Sequence, residues 1–237
     1  AVFLVLLFVY VKFVHQQSIK SLTTSRKQID WSRIGFSFTL VSIFIIGMLL
    51  LDKFYNPETY ELNFNISQFI PLAALAIILV PIQTSFEEYM FRGYLMQGFG
   101  VIFKYRWVAL ALTSIIFGLM HFANPEVSKI GSIIMISYIG TGFLLGIMTL
   151  MDEGIELALG FHAGNNLVTA LLVTADWTAF QTDSVFLYTG EPTASFDVFI
   201  PVFLIYPIYI LIMAKVFKWK DWRQKLFGKV NSPEPEL

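Results

Sequence analysis

Ser85-Phe86-Glu87-Glu88-Tyr89-Met90-Phe91-Arg92 stands inside an apolar stretch that runs from Phe69 to Gly100. Two adjacent carboxylates and an arginine thus sit among residues suited to hydrocarbon. Charge at membrane depth is expensive, so each such group is a functional hypothesis by default. Further out along the chain, only two other apolar segments hold comparable groups. His121 ends one of them, and His162-Ala163-Gly164-Asn165-Asn166 lies within another. Acid, histidine, histidine and amide on three apolar segments are the ingredients of a hydrolytic site inside a membrane.

The composition agrees. Of 237 residues, 56% are hydrophobic and 14% charged, and the mean hydropathy is +0.67. Soluble domains carry about 25% charge. The chain therefore reads as an all-α, polytopic membrane bundle, one domain over residues 1–237. A formal net charge of −1 argues against a nucleic-acid partner. Cysteine is absent, which excludes disulfides and thiolate-bound zinc; any metal would need His, Asp or Glu. Residue 1 is Ala, and the short run 1–14 reads as an N-terminally truncated first helix rather than a signal peptide.

Seven membrane segments are expected: Ala1–Val14, Ile34–Leu51, Phe69–Gly100, Trp107–Phe122, Ile130–Met151, Leu157–Ala175 and Phe199–Ala214. The third exceeds the roughly 20 residues that a span needs. It is expected to break near Pro81, which cannot donate a backbone hydrogen bond. Residues 15–33, residues 176–198 and the Pro/Glu-rich tail 231–237 read as linkers. Gly142 and Gly146 read as a close helix-packing pair.

Orientation follows from Lys and Arg, which favour the cytoplasmic side. Alternating seven spans puts thirteen cations in one set of loops, among them Arg26, Arg33, Arg106, Lys215 and Lys225, and only Lys53 and Lys129 in the other. The first set, with the C-terminus, is expected to be cytoplasmic. Segment 176–198, with Asp176, Asp183, Glu191 and Asp197, is then external. Phe217, Trp219, Trp222 and Phe227, interleaved with cations, read as an interfacial amphipathic tail.

Glu88 and Arg92 are four residues apart and share a helical face, so they should pair; Glu87 points elsewhere. A like-charged neighbour and a low dielectric suit Glu87 to act as a general base. His162 and Asn166 also share a face. Peptide hydrolysis needs an activated water, a proton carrier and oxyanion donors. Glu87 can be the base, His121 can hold the same water, and His162 with Asn166 can stabilise the oxyanion. Alternatively Glu87, His121 and His162 bind Zn²⁺, which would acidify its water. The residues leave both versions open. His15, by contrast, reads as an interfacial polar residue.

Glu87-Glu88-x-x-x-Arg92, Phe117-x-x-x-His121 and His162-x-x-x-Asn166, in that order, resemble the motifs of the CAAX prenyl protease and bacteriocin-processing (CPBP, or Abi) family of intramembrane proteases. The resemblance covers about residues 69–176. It implies a helical fold with a membrane cavity opening to the cytosol. It implies Glu87 and His121 activating water, and His162 and Asn166 on the oxyanion or a metal. It makes Glu88 and Arg92 supporting residues. It suggests a bacterial cell membrane and, among family roles, peptide processing or bacteriocin immunity; the partners would be a membrane-associated peptide or protein substrate and the lipid bilayer. A non-catalytic immunity or peptide-binding protein and a proton-coupled transporter are the rival readings.

Alternation raises one tension. It sends the third span inward and the fourth outward, placing Glu87 and His121 near opposite faces. They meet only if the Pro81 break holds Glu87 deep, or if the fourth span ends in mid-membrane. Residues 122–129 would then be non-helical backbone lining a cavity.

Overall fold

The computed structural model describes residues 1–192 and 198–230; Asp197 and the tail 231–237 lie outside them. All seven apolar segments fold as helices, because only a helix satisfies every backbone donor within one lipid-exposed segment. They are α1 (Val2–Phe13), α3 (Trp31–Tyr55), α4 (Ile66–Glu88) continuing into α5 (Met96–Phe103), α6 (Arg106–Leu119), α8 (Met135–Asp152), α9 (Glu156–Leu172) and α10 (Tyr206–Val216). Three stretches are long and apolar enough to cross a membrane: Trp31–Tyr55, Ile66–Phe103 and Ser132–Asp152. Val2–Phe13, Arg106–Leu119 and Pro201–Val216 are apolar but shorter. Each expected segment is thus helical over most of its length, and among the described residues three helices are long and apolar enough to cross a membrane.

The fold is mostly helical but not wholly so. β1 (Tyr60–Leu62), β2 (Val173–Thr174) and β3 (Phe186–Tyr188) form a small sheet in the order β1-β3-β2. β1 runs antiparallel to β3, with Tyr60 opposite Tyr188, and β2 runs parallel to it. The strands are two or three residues long and carry no alternating pattern to mark them in the sequence.

Pro81 does not break the third segment. Both Pro71 and Pro81 lie inside α4, and the hydroxyl of Thr84 donates back to Val80 O at 3.1 Å and to Pro81 O at 3.3 Å. The carbonyl that Pro81 deprives of a donor is that of Ile77, four residues back, so the Thr84 bonds do not replace it; the helix continues through both prolines. The irregularity comes later. Tyr89–Leu95 is a π-helical turn joining α4 to α5.

α9 is the helix the others enclose. Leu157, Ala158, Phe161, His162 and Ala163 are all buried, and α3, α4 and α8 pack around it. Gly160 and Gly164 allow the close approach of α3. A Cβ on Gly160 would run into Ile34 O, and one on Gly164 would come within 2.7 Å of Val41 Cγ1. The expected pairing at Gly142 and Gly146 holds as well, since side chains there would collide with Ser114 and Leu110 of α6.

The loops of each predicted set gather at one end of the bundle. At one end Thr24 bridges Gly154, and Tyr105 bridges Lys229; at the other, β1 meets β3. The first end is closed by a clasp of charges. Asp152, at the end of α8, accepts from Arg26 at 2.7 Å, from Arg33, and from Trp219 Nε1 at 3.0 Å. Glu156 accepts from Arg26 at 3.2 Å and from the Asp30 backbone at 3.3 Å. Asp30 caps α3 through Ser32, whose hydrogen bonds hold its carboxyl below the usual carboxylate range. The segment read as a linker therefore contains α2 (Ile19–Thr23) and half of this clasp. Trp219 is buried in the bundle rather than interfacial, because its indole N–H finds a carboxylate there; Phe227 is exposed as expected.

Asp152 is 4% exposed and receives three donors. Asp152→Ala should remove the carboxylate shared by Arg26 and Arg33, leaving Arg26 with Glu156 alone, Arg33 with Asp30 alone and the Trp219 N–H without its acceptor. A loss of about 3 kcal/mol is expected, the lower end for breaking a buried pair because Arg26 and Arg33 reach solvent. Chemical unfolding in detergent measures it; wild-type stability would show the clasp to be idle.

Candidate active site

Glu87 and Glu88 end α4, where the helix leaves α geometry. Isolated π turns are rare and concentrate at functional sites, since they re-aim side chains. Here the turn carries Arg92. The expected pair forms: Arg92 Nη1 donates to Glu88 Oε1 at 2.9 Å, with both side chains fully buried. Arg92 Nη2 donates to Gly142 O on α8 at 3.1 Å, and its guanidinium stacks 4.4 Å from the Phe117 ring centroid. Gly142 also lets α6 approach α8 closely, because a side chain there would press on Ser114 O at 2.7 Å.

His162 Nδ1 lies 2.7 Å from the same Glu88 oxygen. A carboxylate paired with arginine is an acceptor only. The proton of this bond therefore sits on His162 Nδ1, which leaves Nε2 to face outward from the pair. Nε2 points towards Glu87 Oε2, 3.8 Å away. That gap is longer than a hydrogen bond. Arg92, Glu88 and His162 thus form a chain whose working end is directed at Glu87. Among the described residues, the second Glu88 oxygen and Arg92 Nε are buried without a hydrogen-bond partner.

His121 follows α6 in a turn. Its Nδ1 donates to Phe117 O at 2.9 Å, which again frees Nε2. Its ring stacks on Tyr138, centroids 4.7 Å apart and 21° between planes, and Tyr138 OH accepts from Asn124 at 3.3 Å. Phe117 separates the two histidines, 4.9 Å from His121 and 6.0 Å from His162 by ring centroids. Glu87 lies within electrostatic reach of both, and of Glu88 and Arg92.

Length bears on the tension between the third and fourth segments. α6 has 14 residues, about 21 Å, against a hydrocarbon layer of about 30 Å. It ends early, and His121 sits at its end. The residues beyond it are not wholly irregular, however. Pro125–Ile130 is a short helix, α7, started by proline at its first turn.

Asn166 is placed differently from the rest. It lies one turn from His162 on α9 and is half exposed, and its side-chain hydrogen bond is to Asn165 Nδ2 at 3.0 Å. His15 bonds Tyr94 at 3.0 Å, away from this cluster. Among the described residues, no group of three His, Asp or Glu side chains gathers as a metal-ligand set. His162 Nδ1 is already committed to Glu88. As they stand, Glu87, His121 and His162 do not form a closed cage for Zn²⁺.

Several contributors were not foreseen: Gln83, whose Nε2 donates to Glu87 Oε1, Tyr138 behind His121, and the Gly142 carbonyl. Gln83 alone left a trace in the sequence, as an amide one turn before Glu87 in an apolar run. On its far side Arg92 borders a cavity of about 370 Å³, with Thr23, Thr24, Arg106, Thr149 and Gly154 in its wall, at the clasp end of the bundle.

Residues 66–168 match the family model of the Rce1-like, type II CAAX prenyl endopeptidases. The matched stretch contains Glu87, Glu88, Arg92, His121, His162 and Asn166, so the resemblance carried by the ordered motifs is borne out over this segment. The uncharacterized protein YyaK of Bacillus subtilis (strain 168) is 37% identical over 165 residues, which are 69% of this chain and 55% of that protein. The chain thus spans little more than half the length of that relative. No solved structure matches the chain.

Removing Arg92 tests the buried chain. Arg92→Ala leaves Glu88 charged, buried and without its cation, and should cost about 3–5 kcal/mol. Arg92→Lys should recover only part of this, because an ammonium cannot span both Glu88 and the Gly142 carbonyl as the planar fork does. Thermal unfolding of the purified variants reads both effects; an unchanged midpoint in Arg92→Ala would show that the pair carries no load.

Proposed function

We propose that this chain is an intramembrane endopeptidase that hydrolyses a peptide bond in a membrane-associated peptide or protein. The observation that carries the reading is the Arg92–Glu88–His162 chain, aimed at Glu87 between helices that are otherwise apolar. The family match supports the same class.

In this reading a water between Glu87 and His121 attacks the carbonyl carbon of the scissile bond. Its proton goes to Glu87, which hands it to the leaving amine as the C–N bond breaks. His121, fixed by the Phe117 carbonyl and Tyr138, holds the water by Nε2. His162 and Asn166 face the developing oxyanion. For His162 to donate there, Nε2 must carry a proton while Nδ1 stays bonded to Glu88. Arg92 holds Glu88 in place through their buried pair. The clasp end, with the 370 Å³ cavity bordering Arg92, is the cytoplasmic side of a bacterial cell membrane.

Glu87→Gln keeps the shape and removes the base. Cleavage of a membrane peptide library by the purified protein should fall at least about 10²-fold, with the fold retained. Asn166→Ala should cost about 10²–10³-fold if it supplies an oxyanion donor. Activity that survives a chelator supports the metal-free version written here. Inactivation by chelation, with bound metal lost in His121→Ala and His162→Ala, would replace it by the zinc version. Full activity in Glu87→Gln would sink both and favour a non-catalytic peptide-binding role.

The orientation is tested separately. The chain lacks cysteine, so Lys225→Cys gives a single label site. A membrane-impermeant thiol reagent should fail to reach it in intact cells and label it after lysis.

A further inference from the structure

α4 and α9 run antiparallel through the site. Glu88 meets His162, while Ala76 and Val80, earlier on α4, pack against Leu167, later on α9. One turn from the Glu87–His162 gap, in the same direction on both helices, stand two exposed amides: Gln83 on α4 and Asn165 on α9. Neither belongs to the core. An exposed amide on a helix whose neighbours include Ile77, Ile78 and Leu79, all exposed and apolar, is costly in hydrocarbon unless its polar ends are used.

Each amide is used on a residue of the proposed site. Gln83 Nε2 donates to Glu87 Oε1. The direction is fixed by chemistry, because an ionised carboxylate can only accept. One Glu87 oxygen is thereby occupied, and the other, Oε2, is the one that faces His162. Asn165 Nδ2 donates to Asn166 Oδ1 at 3.0 Å. That bond takes the acceptor end of Asn166 and leaves its two N–H donors for something else. An oxyanion needs donors of that kind.

We infer that Gln83 and Asn165 are positioning residues of the hydrolytic site, Gln83 orienting the Glu87 carboxylate and Asn165 orienting the Asn166 amide. The inference rests on the reading proposed above. It explains why two exposed amides are kept on apolar helices beside the site and nowhere near the core. Each locks one rotor: the carboxylate so that a single oxygen meets the water, the carboxamide so that its N–H edge meets the substrate. Held groups of this kind convert misaligned encounters into reactive ones, and small misplacements cost large factors in rate.

The test uses the full chain in lipid nanodiscs and a membrane peptide chosen from a library for cleavage by wild type. Gln83→Met and Asn165→Leu keep the bulk and remove the hydrogen bond. Each should lower kcat about tenfold while KM stays the same, and with an unchanged unfolding midpoint, since both side chains are exposed. Coupling separates positioning from mere structure. Gln83→Met should add nothing to Glu87→Gln but keep its tenfold effect on Asn166→Ala. Asn165→Leu should add nothing to Asn166→Ala but keep its effect on Glu87→Gln. Wild-type kcat in the single variants, a lowered unfolding midpoint, or losses that simply multiply in every background would each overturn the inference. Full activity in Glu87→Gln is the distinct result that fails the underlying reading instead.

Discussion

Glu88 is fully buried, and a carboxylate there persists only if the structure surrounds it with donors. Desolvating two charges can cost more than their attraction returns, so a buried pair is poor evidence for stability. It is better understood as a commitment. Once Arg92 and Glu88 are inside, three helices must stay where they are. α4 carries the acid, α8 presents the Gly142 carbonyl to the guanidinium, and α9 brings His162 to the remaining side of the same oxygen. The π-helical turn belongs to this commitment. It begins at the residue after Glu88 and carries Arg92, so the pair spans the change from α to π geometry.

The second charge cluster does similar work at the end of the bundle. Asp152 and Glu156 flank the corner between α8 and α9, and both are tied by Arg26 to the loop before α3. Glu156 starts the helix that carries His162. The clasp and the site are therefore two fixings of one helix: Arg26 and the Asp30 backbone hold its first turn, and Glu88 holds it near mid-length. Gly160 and Gly164 add the close approach of α3 on another face. A helix held in this way can keep Nε2 of His162 aimed without any contribution from lipid.

How much of this was legible follows from range. Spacing alone announces Glu88 with Arg92 and His162 with Asn166, because residues four apart meet on any helix. The ordered motifs marked the segment that the family match covers. The failures are of two kinds. Pro81 reads as a break because proline lacks a donor, yet α4 runs on through both Pro71 and Pro81. The π turn, conversely, has no proline to announce it. Tertiary partners explain the other misses. Arg26 and Arg33 look like topogenic surface cations, and their carboxylates are about 120 residues away. Trp219 looks like an interfacial anchor until Asp152 is placed beside its indole. Nothing local to Glu88 or His162 says that they bond to each other, since 74 residues separate them.

The short α6 shows why counting spans misleads in a chain of this kind. Counting treats each apolar run as a full crossing and so sends its polar terminus to the far surface. By that count Glu87 and His121 belong on opposite sides. A helix of about 21 Å stops inside the layer, and its last residues become available to line a site there. The cost is exposed backbone at depth. Here it is limited in two ways: His121 Nδ1 donates to the Phe117 carbonyl, and Pro125 starts a new helix four residues after His121. The same shortness that weakens α6 as a membrane span leaves His121 in the turn after it, stacked on Tyr138 and 4.9 Å from Phe117, whose ring also borders His162.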